Sequence, residues 1–167
     1  MPYISIRVAC DDKRDELNRL LAEGSTQIMA EVLGKRAELT AVSVERLAPA
    51  QWSIAGESVA ERGQSSAFVS AKISVGSNTA DQVEQAITAF YQLLHSVLGT
   101  LSEVSYVVID EVPMTHWGCG GRTQLWRQQA RFKVRARITQ PAVCWPAEPV
   151  TGVCNNSSPA ATGYRHC

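Results

Sequence analysis

A gap-free offset of 65 lays the chain on itself: Pro2-Tyr3-Ile4-Ser5-Ile6-Arg7-Val8 falls on Ala67-Phe68-Val69-Ser70-Ala71-Lys72-Ile73. The same offset yields nine identities: Ser5/Ser70, Gln27/Gln92, Val32/Val97, Leu33/Leu98, Gly34/Gly99, Glu38/Glu103, Val42/Val107, Trp52/Trp117 and Gly56/Gly121. About three are expected by chance over roughly 55 positions at average residue frequencies. Two tryptophans and two Val-Leu-Gly triplets in register therefore mark an internal duplication, and whatever one copy forms the other must form too.

The hydrophobic period changes in the same order in both copies. Ile4, Ile6 and Val8 alternate, as do Val69, Ala71 and Ile73, the pattern of a strand with one buried face. Apolar residues then recur at three- and four-residue steps: Leu17, Leu20, Leu21, Ile28, Val32 and Leu33, and in the second copy Val83, Ala86, Ile87, Phe90, Leu94 and Val97. Asp12 is placed as the N-cap of the first helix, and Thr79 with Gln82 forms a capping box for the second. Gly34 and Gly99 stand where a left-handed residue would end each helix.

Leu39 to Val44 and Val104 to Ile109 read as second strands, so each copy is a βαβ unit with a right-handed crossover. Each ends in a Trp- and Gly-bearing turn, at residues 51–56 and 116–121, suited to a tight hairpin. The expectation is an α/β (α+β) fold: two tandem βαβ units, residues 1–60 and 61–125, making a four-stranded sheet with two helices on one face. The opposite sheet face stays open unless chains associate.

Residues 126–139 form a basic arm. No acid occurs from Val112 to Ala147, while Phe132, Val134, Ala136 and Ile138 alternate with bases, which reads as an edge strand with one basic face. Residues 140–167, rich in Pro, Ala, Ser, Gly and Cys without a period, read as a disordered extension.

Composition narrows the partners. The formal net charge is +0, with 19 % charged and 45 % hydrophobic residues, so neither nucleic acid nor membrane is expected as a partner. No stretch approaches the roughly 18 apolar residues of a spanning helix and the start lacks a secretory leader pattern, so a cytoplasmic protein is expected. Five cysteines without a C-x-x-C pair (Cys10, Cys119, Cys144, Cys154 and Cys167) suggest reduced thiols, with no metal site or cofactor. His95 and His116 have no Asp or Cys partner at catalytic or metal spacing and read as structural.

Pro2 is the residue with chemistry. Removal of Met1, favoured by the small second residue, turns its amide nitrogen into a secondary amine. An α-amine titrates near 7.7–8.0, and desolvation or a nearby cation lowers that value. Such a neutral amine can lift a proton near neutral pH and return it elsewhere.

Met-Pro-Tyr-Ile opening a strand, Val-Leu-Gly-Lys ending a helix, and Val-Ile-Asp-Glu-Val-Pro followed by Trp-Gly-Cys-Gly-Gly-Arg-Thr together resemble the 4-oxalocrotonate tautomerase branch of the tautomerase superfamily, over roughly residues 2–125. The doubled unit is similar to fused members, which share the overall plan of macrophage migration inhibitory factor and form trimers. The resemblance implies a homotrimeric tautomerase or isomerase acting on a small enol or unsaturated keto acid, with Pro2 as general base. The same proline would serve a hydratase or dehalogenase acting on unsaturated acids. A non-catalytic trimeric binding protein would keep the fold.

The resemblance places Trp52, and Trp117 as its counterpart, at an aromatic pocket wall. Family members that act on dicarboxylates carry arginines where this chain has Asp12 and Ser43, and Ser77 and Val108 in the second copy, so that clamp is absent. Arg7, Lys72 and Arg122 are the candidate replacement cations.

Overall fold

The computed structural model describes residues 1–12 and 14–139, with side chains to residue 132. Cys144, Cys154 and Cys167, and the extension expected over 140–167, lie outside the described residues.

In chain order the elements are β1 (Tyr3–Ala9), α1 (Leu17–Glu31), β2 (Ala41–Leu47), β3 (Ser53–Ile54), β4 (Glu57–Ser58), β5 (Ser66–Ser74), α2 (Ala80–Leu98), β6 (Tyr106–Val112), β7 (Gly118–Cys119), β8 (Arg122–Thr123) and α3 (Gln124–Thr139). Four strands form one sheet in the order β2-β1-β5-β6. Within each copy the pair is parallel, β1 with β2 and β5 with β6, as a helical crossover requires. The copies meet through an antiparallel β1–β5 pair, with Tyr3 opposite Lys72, Ser5 opposite Ser70 and Ala9 opposite Ser66. Ser5 thus faces its own repeat-equivalent, and a local two-fold passes between Ser5 and Ser70.

One sheet face is dry. Ile4, Ile6, Val8, Val69, Ala71 and Ile73 alternate inward and are at most 1 % exposed, packed beneath Leu17, Leu21 and Met29 of α1 and Ala86, Phe90 and Leu94 of α2. Ser25 joins Leu17, Leu21 and Met29 in a buried four-residue row, whereas Ile87, expected inside, is exposed. The helices approach closely at Gly24, where a Cβ would lie 2.5 Å from Leu93 Cδ1. The other face carries Tyr3, Ser5, Arg7, Phe68, Ser70 and Lys72. It is tied by local contacts: Tyr3 Oη with Ser43 Oγ at 3.0 Å, the Arg7 guanidinium 5.1 Å from the Phe68 ring centroid, and Lys72 with Asp110 at 2.9 Å.

The local signals explain most element ends. Thr79 Oγ1 accepts the Gln82 N–H and Gln82 Oε1 accepts the Thr79 N–H, the capping box expected for α2. Gly34 and Gly99 adopt φ of +62° and +75° just past the two helices. Asp12 does not cap α1, which begins five residues later. Its carboxylate instead accepts the backbone and side-chain N–H groups of Arg14 at 2.8 and 2.7 Å, closing a turn of its own. The second strands begin two residues later than expected, at Ala41 and Tyr106; before β2, residues 37–39 form a short helical turn.

The segment expected as a basic edge strand is a helix. From Gln124 to Arg131 it reads Gln-Leu-Trp-Arg-Gln-Gln-Ala-Arg, almost all straight-chain residues or alanine, which lose little in a helix. Its start is capped three ways: the Trp126 N–H donates to Thr123 Oγ1 at 3.1 Å, the Gln124 N–H to the Trp117 carbonyl at 3.0 Å and the Leu125 N–H to the Met114 carbonyl at 3.1 Å. These bonds satisfy the first-turn donors and seat α3 against the second hairpin.

Candidate active site

The antiparallel junction decides what surrounds Pro2. Because β2 runs with β1, the first hairpin, with Trp52, follows the Ala9 end of β1. Because β5 runs against β1 and β6 runs with β5, the second hairpin emerges at the Tyr3 end. Pro2 therefore meets Trp117, while Trp52 serves the start of β5, where Ala67 sits within the chain. Helix α1 runs back from the end of β1 and delivers Lys35, just past Gly34, to the same Tyr3 end.

There a cavity of about 420 Å³ is lined by Pro2, Lys35, Ser77, Trp117, Arg127 and Arg131, with Met1, Ile73, Met114 and Gln124 among the other walls. Among the described residues, three cationic side chains line it and no acidic one does. Of the residues singled out from sequence, the structure brings Pro2 and Trp117 together. Trp52 is at the opposite end of the sheet. Arg7 and Lys72 lie on the open sheet face, the first over Phe68 and the second paired with Asp110. Arg122 is exposed in the second hairpin and stacks 4.8 Å from the Trp126 ring centroid. Ser77, at the repeat position of Asp12, reaches the cavity because the two-fold exchanges the ends of the copies.

The sequence alone does not mark Lys35, Arg127 and Arg131 as pocket cations. The signal for the last two was the acid-free run after Val112. Lys35 was hidden because its repeat counterpart is Thr100, so the duplication did not point to it.

Lys35 is half-buried, and this burial lowers its pKa below the usual lysine range, with the Glu111 carboxylate partly opposing the shift. Its Nζ donates to Ser77 Oγ at 2.8 Å and to Asn78 Oδ1, both neutral acceptors, and among the described residues it forms no contact ion pair. Asn78 is itself fixed by donating to the Leu33 carbonyl at 3.0 Å.

Met1 lies along the cavity wall. Its carbonyl accepts Gln124 Nε2–H at 3.3 Å and its sulfur lies 3.0 Å from Cys119 Sγ. Burial lowers the pKa of its α-amine, and the cations Lys35, Arg131 and Arg127 lower it further. Cys119 is half-buried and Cys10 buried, both as free thiols. No described helix is long and apolar enough to cross a membrane.

A repeated βαβ sheet with a strand-opening proline in a cation-lined cavity defines the class structurally, and comparison with known proteins narrows it. No family model matches the chain. A probable tautomerase K2 of Dickeya dadantii (strain 3937) is 38 % identical over 64 residues, which span 96 % of that protein and 38 % of this chain, the length of one repeat. Among solved structures, a native fused 4-OT superposes with TM-score 0.65 at 22 % identity, covering 74 % of this chain and 97 % of that one. A fused 4-OT described as a symmetric trimer has TM-score 0.65 at 18 % identity, with 74 % and 96 % covered. A macrophage migration inhibitory factor-like protein from Entamoeba histolytica has TM-score 0.61 at 24 % identity, with 73 % and 97 % covered. The chain belongs to the tautomerase superfamily, as a fused, 4-oxalocrotonate tautomerase-like member.

Proposed function

We propose that this chain is a homotrimeric tautomerase in which the Pro2 amine, freed by removal of Met1, shuttles a proton within an enolisable or unsaturated α-keto acid. The observation that carries this reading is the placement of Pro2 in a cavity lined by Lys35, Arg127 and Arg131 and, among the described residues, by no acid. A cationic, partly dry pocket has two effects. It attracts an anionic substrate and stabilises the negative charge that develops on oxygen as an enolate forms. It also disfavours the ammonium form of an amine placed within it, as it does for the α-amine of Met1.

The step is a balanced proton transfer. The neutral Pro2 nitrogen takes a proton from the enol hydroxyl or from carbon, becoming an ammonium, while the electron pair left behind delocalises over the enolate. The ammonium then returns the proton to a different atom, and the amine is neutral again. The ring holds the nitrogen at the start of β1, where the Ala41 N–H donates to the Pro2 carbonyl at 3.3 Å and anchors the residue without using the amine. An amine whose ammonium form is disfavoured by burial and nearby cations suits this role better than that of a standing acid in hydration or dehalogenation.

Trimer formation is supported by the fused 4-OT described as a symmetric trimer and by the open sheet face, where Tyr3 and Tyr106 are 41 % and 59 % exposed. The test of the chemistry is ketonisation of the enol of an aryl-substituted α-keto acid by protein whose intact mass shows Pro2 at the terminus. Pro2→Ala keeps an amine but lets it rotate, and a misplacement of about 1 Å costs on the order of 10²-fold. Unchanged turnover in Pro2→Ala would mean that the proline ring does not position the base.

A further inference from the structure

The Lys35 ammonium is gripped from outside the cavity. Of the two side chains that accept its N–H groups, Ser77 is exposed and lines the cavity, whereas Asn78 is half-buried and is not one of the cavity walls. Asn78 is the anchored one. Its Nδ2 donates to the Leu33 carbonyl, just past α1, at 3.0 Å and to Gln82 Oε1, in the capping box of α2, at 3.2 Å. With both amide hydrogens committed, Oδ1 is left as the acceptor for Lys35, and Ser77 Oγ donates to the same oxygen at 3.2 Å.

A lysine ammonium ends a flexible four-carbon stem and has no fixed direction of its own. Bonds to Ser77 and Asn78 give it one, at the wall of the cavity that holds Pro2. The kind of acceptor matters. An aspartate at position 78 would pair with the ammonium and cancel much of its field, whereas an amide holds it without adding charge. The acid that does act on Lys35, Glu111 of β6, is turned to the loop, where its Oε1 accepts the Gly76 N–H at 3.2 Å. Besides Lys35, Arg127 and Arg131 of α3 and Cys119 of the second hairpin act on an α-amine at this end of the sheet.

We infer that Asn78 is a positioning residue, which acts through Lys35 by fixing its ammonium against the cavity beside Pro2. The role rests on the Pro2 amine being the base that this cavity serves. It joins the two repeats in one device: the cation comes from the end of the first helix, and the residue that aims it comes from the loop before the second. The repeat counterparts of Lys35 and Asn78 are Thr100 and Lys13, so the duplication does not reproduce the pair.

The experiment is an NMR titration of the Pro2 nitrogen in the full chain, labelled with [15N]proline and shown by intact mass to begin at Pro2. Lys35→Met removes a cation that disfavours the ammonium and raises the pKa of the amine by about half a unit, the order expected of one partly solvated charge. Asn78→Ala frees the ammonium and raises that pKa by at least about half as much. In the Lys35→Met background Asn78→Ala adds nothing, within about 0.1 unit, because its effect passes through the lysine. Asn78 also ties α1 to α2, so the near-isosteric Asn78→Asp is the second variant, with folds checked by circular dichroism. Its carboxylate holds Lys35 but pairs with it, and the pKa rises toward that of Lys35→Met. An amine pKa unmoved by Asn78→Ala and Asn78→Asp overturns the inference, as does an Asn78→Ala shift of equal size with and without Lys35. The titration needs no turnover, so failure of the protein to ketonise an enol would sink the proton-transfer reading and leave this one standing.

Discussion

Keeping Met1 in place tests the position of the amine separately from its existence. With Met1 retained, Pro2 nitrogen is an amide and has no lone pair to offer. The α-amine of Met1 replaces it, still lowered by burial and by Lys35, Arg131 and Arg127. It is displaced by one residue, about 3.8 Å between consecutive α-carbons. The two forms thus both carry a desolvated amine near the same cations and differ in where it sits. A positioned general base contributes typically 10²–10⁴-fold, or about 2.7–5.4 kcal/mol of barrier. The retained methionine also fills part of the cavity, through its contacts with Gln124 and Cys119. The assay compares kcat/KM for enol ketonisation in two preparations verified by intact mass. One begins at Pro2 after cleavage from a fusion partner, and the other begins at Met1. A drop of two to four orders of magnitude in the Met1 form is expected. Rates within about threefold of each other would refute the reasoning, because any amine in the pocket would then suffice.

Two further outcomes follow from the same geometry. The neutral Pro2 amine is the active form, so kcat/KM rises with pH through its pKa, and that rising limb lies below the ordinary α-amino value of about 8. Lys35→Met removes a cation that disfavours the ammonium, so it moves the limb to higher pH in a pH–rate profile; a shift to lower pH would contradict the assigned electrostatics. At the helix contact, Gly24→Ala gains about 1 kcal/mol of helix propensity but drives a methyl to 2.5 Å from Leu93 Cδ1 and 3.3 Å from its Cγ. Overpacking of this kind costs about 1–3 kcal/mol, so urea denaturation should show a net loss of about 1 kcal/mol, and a gain would mean that Leu93 moves aside freely.

Much of the fold was legible because its signals are local. The apolar periods of β1, α1, β5 and α2 need only a few consecutive residues to read, as do the Thr79/Gln82 box and the glycines at φ +62° and +75°. Asp12 misled because a carboxylate two residues before an arginine has a nearer partner than the helix. The stretch from Phe132 to Ile138 alternates with period two like a strand, but the helix-favouring residues before it and the Thr123 cap carry it into a helix. The βαβ duplication and the single proline at the head of the first copy were properties of the amino-acid order itself.

What surrounds that proline was not. The antiparallel β1–β5 register, with Ser5 opposite Ser70, exchanges the ends of the two copies and brings Trp117 and Ser77 to Pro2 while leaving Trp52 at the far end. Arg7 and Lys72 alternate onto the open sheet face because side chains on a strand change sides at every residue. Lys35, Arg127 and Arg131 converge from the end of α1 and from α3, elements nearly a hundred residues apart. Periodicity and capping are set by neighbours in sequence, whereas the lining of a cavity is set by strand pairing and helix docking between distant segments. The sequence therefore determined the repeat and its one candidate base, and only the tertiary structure decided which cations and which tryptophan that base would meet.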